Sequence, residues 1–585
     1  MKRLCKSFAV LGILVMTAGA GNGFSAPDDM KNLCDEYVSA WKAFYPSRAF
    51  SLGFHGSVFY FEDFSQKNIR SWIGYNREVM NTIDEVMPVL SVDQRINARL
   101  LRSRILSELD QWEKEAPHKN SPEFYSGYIS RAVSRVLDSD ILMRGEKVDL
   151  ILQRLEGIKE LSEAGKQMLE DGSPKSTRRS VESLERSAAF LSESLPGRVE
   201  GWLGERNPEE FKSACLHAAE EIQSLILFIR EKIQPRASLS DSPVLGREAF
   251  AHKLKIYTDS DLTPEQLEEM ALEEIRETRA VMAETAEDYL RETYPERNLP
   301  AGDMAMVKAA LKDMEENRPA GEQEYLLKLR RFAQQAEDFV REHKIATIPE
   351  NQTLSIELAP ESAGAMARIG YVRPAPPFSP NPWTTWFLAN IPDSFPEKER
   401  EDFWRSFNYH FKKFIVIHEL FPGHYIQSKL TRENPHPVRI LFPYGLYSEG
   451  WATLCERVAL EAGWDDGNKL TRLAQLRKRL ENANRAYTSV QVHCRGWDEE
   501  QILAFSVETS LLAPQFAKSL WGRLMSSPMQ ITSYFLGYQK LDEIYEAEKK
   551  RLGPKFKTLE FMDTILRAGP IPIDEFPAIF ANRRN

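Results

Sequence analysis

The residues richest in chemistry lie in the segment Val416-Ile417-His418-Glu419-Leu420-Phe421-Pro422-Gly423-His424-Tyr425-Ile426-Gln427, and five of the ten histidines fall between His410 and His493. In the common zinc-hydrolase pattern, two histidines four residues apart share a helix face and a glutamate after the first polarises the metal-bound water. Here the histidines are six residues apart. On a regular helix that offset turns the second side chain about 120° from the first, so both cannot reach one ion. Pro422 and Gly423 permit the irregularity that chelation requires. Proline removes the backbone donor that would bond the His418 carbonyl, and glycine accepts a bulged backbone. An inserted loop of two residues then returns His424 to the metal-facing side.

A third protein ligand leaves one coordination position to water. Glu449, in Tyr447-Ser448-Glu449-Gly450-Trp451-Ala452, is the choice, because Pro435 and Pro437 break the chain and let it return antiparallel. Glu456, two turns further along the same helix, is placed to accept the free N–H of a ligand histidine. The expectation is one Zn2+ per chain held by His418, His424 and Glu449, with Glu419 as general base. His410 and His436 read as ordinary packing partners.

The elements that must carry these residues are mainly helical. From Met30 to Gln234, apolar residues recur at three- and four-residue spacing among Glu, Lys and Arg. The polar, proline-flanked run from Pro235 to Pro243 marks a boundary, giving an N-terminal helical lobe over 27–240 and a catalytic helical lobe over 241–585. Thr263-Pro264-Glu265-Gln266 opens a long helix with a capping box. Only Thr353 to Leu358 alternates polar and apolar residues as a strand does, with Trp383 to Asn390 as a second candidate. A small sheet there either aligns an extended peptide along a free edge or serves as a structural hairpin.

The chain has 585 residues, 42% hydrophobic and 28% charged, ordinary for a folded protein and long enough for more than one lobe. Its formal charge of -10 and pI near 5.7 argue against a nucleic-acid partner. Lys2, Arg3 and Lys6 precede an apolar run from Phe8 to Met16, which reads as a signal peptide over 1–26 with cleavage after Ala20 or Ala26. The run is shorter than the ~20 residues that span a bilayer, so no stable membrane insertion is expected after cleavage, and the mature protein is periplasmic or secreted. Cys5 precedes the run and cannot be a lipidated cysteine. Cys34, Cys215, Cys455 and Cys494 remain, either as buried thiols or as one or two bridges.

At His-Glu-x-x-Pro-Gly-His and Glu-Gly-Trp-Ala the chain resembles DUF885, a bacterial family known as a domain of unknown function. Weaker agreement includes Ser51-Leu52-Gly53, Leu262-Thr263-Pro264-Glu265, Pro528-x-Gln530-x-x-Ser533-Tyr534-x-x-Gly537 and Phe561-x-Asp563. The resemblance implies a helical, two-lobed metallopeptidase-like fold with a deep cleft, similar to angiotensin-converting enzyme and thimet-type oligopeptidases. By the same analogy His493 and Tyr534 are the donors that stabilise a tetrahedral oxyanion. Ser489-Val490-Gln491-Val492-His493 departs from the family's usual Asp-Thr-Gly, and Met529 stands where glycine is usual, which leaves substrate preference open. The function expected is hydrolysis of short peptides by metal-activated water. The alternatives are a metal-dependent amidohydrolase on a non-peptide amide, or an exported binding protein with a structural metal. Arg439, Arg485 and Lys540 are candidate anchors for a substrate carboxylate, without commitment.

Overall fold

The computed structural model describes residues 27–54, 61–391 and 394–582. The export signal expected over 1–26, with Cys5, lies outside the described residues. Helix makes up 74% of the described residues and strand 2%, as the periodicity predicts.

Apolar side chains collect into two large cores. One is built almost wholly from residues between Met30 and Ile233, the other from residues between Phe250 and Phe580. Each borrows from the other half: Val438 and Phe442 join the first, Ile96 and Leu100 the second. Ile96 and Leu100 lie on helix α1 (Val92–Leu109), whose opposite charges also tie the halves together. Arg95 pairs with Glu575 at 2.6 Å and Arg99 with Asp259 at 2.7 Å, while Arg439 reaches back to Asp93 and Asn97. The connector 237–246 has no regular secondary structure and leads into α2 (Arg247–Thr258).

Helix α3 (Pro264–Thr293) begins at the anticipated capping box: Gln266 N–H donates to Thr263 Oγ1 at 3.2 Å, and Thr263 N–H to Gln266 Oε1 at 2.9 Å. Strands β1 (Leu354–Leu358), β2 (Tyr371–Arg373) and β3 (Thr384–Leu388) form one sheet in the order β1-β3-β2. The two anticipated strands are present but pair in parallel, so they are not a hairpin; β2, three residues long, is too short for alternation to reveal. Thr353 O and Ala359 N bond toward β3, so Ile356 points to the outer edge of β1, where Arg330 takes its carbonyl at 2.8 Å. That edge is capped at its midpoint rather than open. The sheet is fastened to the metal-motif helices through Thr353 N–H, which donates to Tyr425 Oη at 2.7 Å.

Five further helices frame the motif residues: α4 (Tyr409–Glu419), α5 (His424–Thr431), α6 (Tyr447–Glu461), α7 (Lys469–Val490), which packs along α3, and α8 (Pro514–Ser526). Helix α9 (Ser533–Leu552) follows and crosses α6. Cys34, Cys215 and Cys455 are buried free thiols and Cys494 is a half-buried one. Among the described residues no helix is long and apolar enough to cross a membrane.

Candidate metal centre

Helix α4 is buried around Phe414, Val416 and Ile417 and ends at Glu419, directly after His418. The chain then folds back over its own helix end. Leu420 and Phe421 N–H both reach Val416 O, and Gly423 N–H reaches Ile417 O at 3.1 Å. A Cβ at position 423 would lie 1.8 Å from the His418 carbonyl oxygen, so only glycine fits this close approach. The Trp451 indole, from α6, donates to Pro422 O at 3.0 Å and holds the loop down. Helix α5 starts afresh at His424, and the two imidazoles meet edge to face with centres 4.8 Å apart. The six-residue offset is absorbed as the Pro-Gly pair predicts, by ending one helix and opening another.

Glu449 arrives in the first turn of α6, whose path is set by a glycine contact. A Cβ on Gly450 would sit 2.5 Å from the Gly537 backbone, so α6 and α9 touch main chain to main chain. Ligand-type atoms of His418, His424 and Glu449 all lie within 4.8 Å of one another. Glu449 Oε2 is 3.3 Å from His424 Nε2 and 3.7 Å from His418 Nε2. Donors around a tetrahedral zinc sit about 3.3 Å apart, so the cradle fits that ion. Glu449 Oε2 is buried without a hydrogen-bond partner, while Gln530 takes its Oε1 at 3.3 Å. An orphaned, buried carboxylate oxygen facing two imidazole nitrogens is a donor set whose chemistry suits a divalent cation.

The partners behind the cradle fix which nitrogens face it. His418 Nδ1 is 2.7 Å from Glu456 Oε1, and Gln475 supports the other oxygen of Glu456 at 3.5 Å. His424 Nδ1 lies 3.4 Å from both Gln427 and Ser448. Burial opposes a charge on His418, yet the Glu449 and Glu456 carboxylates outweigh it and hold the imidazole up to about 10. The same contest raises His424, and the two imidazoles hold Glu449 well below the carboxylate range although burial alone would raise it. Glu419 is half-buried and makes no hydrogen bond or ion pair among the described residues.

Tyr534 projects from the first turn of α9. Burial raises its hydroxyl, Glu449 adds to the rise, and Arg523 Nη2 donates to that oxygen at 3.4 Å. His493 is the correction. Its imidazole is buried and stacked on Phe250; Nδ1 accepts from Leu245 N–H at 3.2 Å, and Nε2 donates to Leu524 O at 3.0 Å. With both nitrogens taken by backbone it has no donor left for an oxyanion, and it clamps the connector instead. His410 and His436 are ordinary partners, bonded to Asn317 and Thr471 and to Asp93 and Asn97 respectively. Arg439 is spent on the lobe junction, Arg485 lies over Tyr534, and Lys540 is half-buried on α9. Sequence reasoning passed over Gln427, Ser448 and Gln530, although all three sit inside the quoted motifs. It also passed over Lys478 and Arg523, which nothing in their spacing distinguishes from solvated helix faces. A cavity of about 400 Å³ opens between the lobes beside Tyr257, Gly445 and Met529, close to the cradle but not including its ligands.

Residues 46–578 match the family described as "Bacterial protein of unknown function (DUF885)". Two solved structures share the fold. One, described as "a putative lipoprotein of unknown function from Shewanella oneidensis", is 19% identical with a TM-score of 0.80, covering 95% of this chain and 100% of that one. The other, "the putative lipoprotein from Colwellia psychrerythraea", is 18% identical with a TM-score of 0.71, covering 95% and 99%. At such identities the likeness concerns the fold alone. No curated protein matches the chain in sequence. Because the family match spans most of the chain and contains both the His-Glu and the Glu-Gly-Trp-Ala segments, the chain belongs to the DUF885 family of bacterial proteins.

Proposed function

We propose that this chain is an exported zinc-dependent hydrolase that cleaves amide bonds in short peptides, with Glu419 carrying the proton. The observation that supports it is the cradle: two imidazole nitrogens and one orphaned carboxylate oxygen converge, and an unpartnered carboxylate stands at the next residue. A Zn2+ bound there supplies a Lewis acid and acidifies a coordinated water towards ~7.

The chain's own residues do the rest. Glu456 keeps the His418 proton on Nδ1, which leaves Nε2 free to face the cradle. Gln530 holds one oxygen of Glu449 so that the other points inward. Glu419, free of competing partners, takes the proton of the attacking water and returns it to the leaving amine. Tyr534 accepts from Arg523, so its own O–H remains available to the developing oxyanion. His493 plays no part. A site that merely stored a structural ion would gain nothing from a free carboxylate beside it. Export is supported by the residue pattern of the first 26 positions and by the description of two structural relatives as lipoproteins.

Elemental analysis of the purified protein, paired with a mixed-peptide digestion read by mass spectrometry, tests ion and substrate class together. Zinc near one ion per chain and defined peptide products are expected. Glu419→Gln should lower hydrolysis by about 10²- to 10⁴-fold with zinc retained. Unchanged turnover in that variant, or a protein that neither carries nor takes up a divalent ion, would sink the reading.

A further inference from the structure

Three cations gather on the ring of Tyr534. Arg485 Cζ lies 4.4 Å from its centre, Arg523 Cζ 5.5 Å and Lys478 Nζ 5.9 Å. Two of them are well sheltered, with side chains 9% and 11% exposed for Arg485 and Lys478. Among the described residues one carboxylate is dedicated to this group: Glu481 pairs with Arg485 and, at 3.3 Å, with Lys478. The nearest other acids already have tasks, Glu449 in the cradle and Glu456 on His418. Two sheltered cations and a half-buried third sharing one anion leave positive charge uncompensated, which costs stability unless an anion arrives from outside.

The cluster is wired to the metal site. Arg523 Nη2 donates to Gln530 Oε1 at 3.1 Å, and Gln530 Nε2 donates to Glu449 Oε1 at 3.3 Å. One glutamine side chain therefore separates a guanidinium from a cradle ligand. Extended peptide advances about 3.4 Å per residue, so a group bound at the cations sits one or two residues from a carbonyl at the cradle. Arginine's planar fork suits a carboxylate in that position.

We propose that Arg485, Arg523 and Lys478 form the anion subsite of this active site, taking a substrate carboxylate one or two residues beyond the scissile bond. The proposal rests on the hydrolase reading and sharpens it: the substrate is a peptide with a free carboxyl terminus or an acidic residue at that position, and cleavage occurs close to it. Burial opposes the charge of Lys478 and Arg485 adds to that, which an incoming carboxylate relieves.

Three peptides separate the cases: tetra-alanine as the free acid, tetra-alanine amide, and Ala-Ala-Ala-Glu amide. Wild-type zinc-loaded protein should cleave the free acid with kcat/KM on the order of 10- to 100-fold above tetra-alanine amide. Recovery of the rate by the glutamate-bearing amide assigns the subsite to acidic side chains, and failure to recover assigns it to the chain terminus; either result upholds the carboxylate. Arg485→Gln should collapse the preference towards one, and Arg485→Lys should restore part of it, which guards against a variant that only misfolds. The same peptides are then titrated calorimetrically into Glu419→Gln protein. If wild type hydrolyses none of them but this variant still favours the carboxylate-bearing ones, the hydrolase reading fails and the subsite stands. Equal binding and equal cleavage of all three overturn the subsite and leave the hydrolase reading intact.

Discussion

In the N-terminal core, Glu62 and Arg154 bury their charges against each other; in the C-terminal core, Glu449 buries its charge against two imidazoles. Both sites leave polar atoms unpaired among the described residues. Glu62 Oε1 accepts from Ser47, but its Oε2 is 4.0 Å from Arg154 Nη1 and unbonded, as are Arg154 Nε and Nη1. The difference lies in the direction of titration. Burial pushes the Glu62 carboxyl up and the Arg154 guanidinium down to about 10, so each group drifts towards its neutral form. At the cradle the drift is towards the charged forms, with His418 and His424 raised and Glu449 lowered against the pull of burial. A buried pair that tends to neutrality already contains its counter-charge and merely sits in a poor solvent. A cluster that tends to charge against the pull of burial, with three ligand-type atoms within 4.8 Å of one another, has the composition of the cation site proposed above.

The comparison breaks most decisively at Glu62. Glu62→Gln leaves a fully buried guanidinium with no anion, which should destabilise the protein by about 3–5 kcal/mol, read as a lowered urea midpoint, while zinc content and turnover per folded molecule stay put. Adding Arg154→Met should recover most of that loss. A fall in zinc content in the single variant would show the two clusters to be one coupled system. Titration of metal-free protein separates them by sign. Folded His418, held at about 10 against about 6.5 unfolded, contributes stability that is complete below pH 6.5 and is lost as pH rises through 10. The thermal midpoint of chelated protein should therefore fall across that window. Saturating zinc should abolish the slope, because ligating imidazoles must be unprotonated. Glu62 works the other way: its folded carboxyl is raised, so it gains stability as pH falls towards about 4.3 and adds nothing to the alkaline slope.

The cradle was legible in the sequence because its constraint is local. The distance from His418 to His424 is fixed by the residues between them, and Pro422 with Gly423 has few uses except to break a helix. Glu449 and Glu456 were legible because one helix carries both at a spacing that faces them the same way. The two anticipated strands followed from alternation in Leu354–Leu358 and Thr384–Leu388, but their parallel pairing depends on a long crossover that no local pattern encodes. His493 was misplaced for a related reason. Order along the chain cannot say which of two histidines faces a cavity, and the π-helical turn at Gln491–Arg495 turns this one onto the backbone of Leu245 and Leu524. The cations around Tyr534 come from α7 and α8 and the ring itself from α9, so their convergence is a product of packing alone.

Glu456 offers the finest division between the two clusters, because it is as buried as Glu62 yet belongs to the cradle. Glu456→Gln keeps the shape and an acceptor for His418 Nδ1–H but removes the charge that raises the ring's basicity and fixes its proton. A partner behind a ligand histidine is worth about 10- to 100-fold in metal affinity, so competition with a coloured chelator should show a loss in that range. Folding should change far less than in Glu62→Gln, since no unpaired cation is left behind: in zinc-free protein His418 can simply lose its proton. The alkaline slope of the metal-free midpoint should flatten in the same variant, a readout that a purely packing role for Glu456 would not move. Zinc affinity within twofold of wild type, with the slope intact, would show that Glu449 alone sets the charge of the cradle and that the contact of 2.7 Å behind His418 is packing.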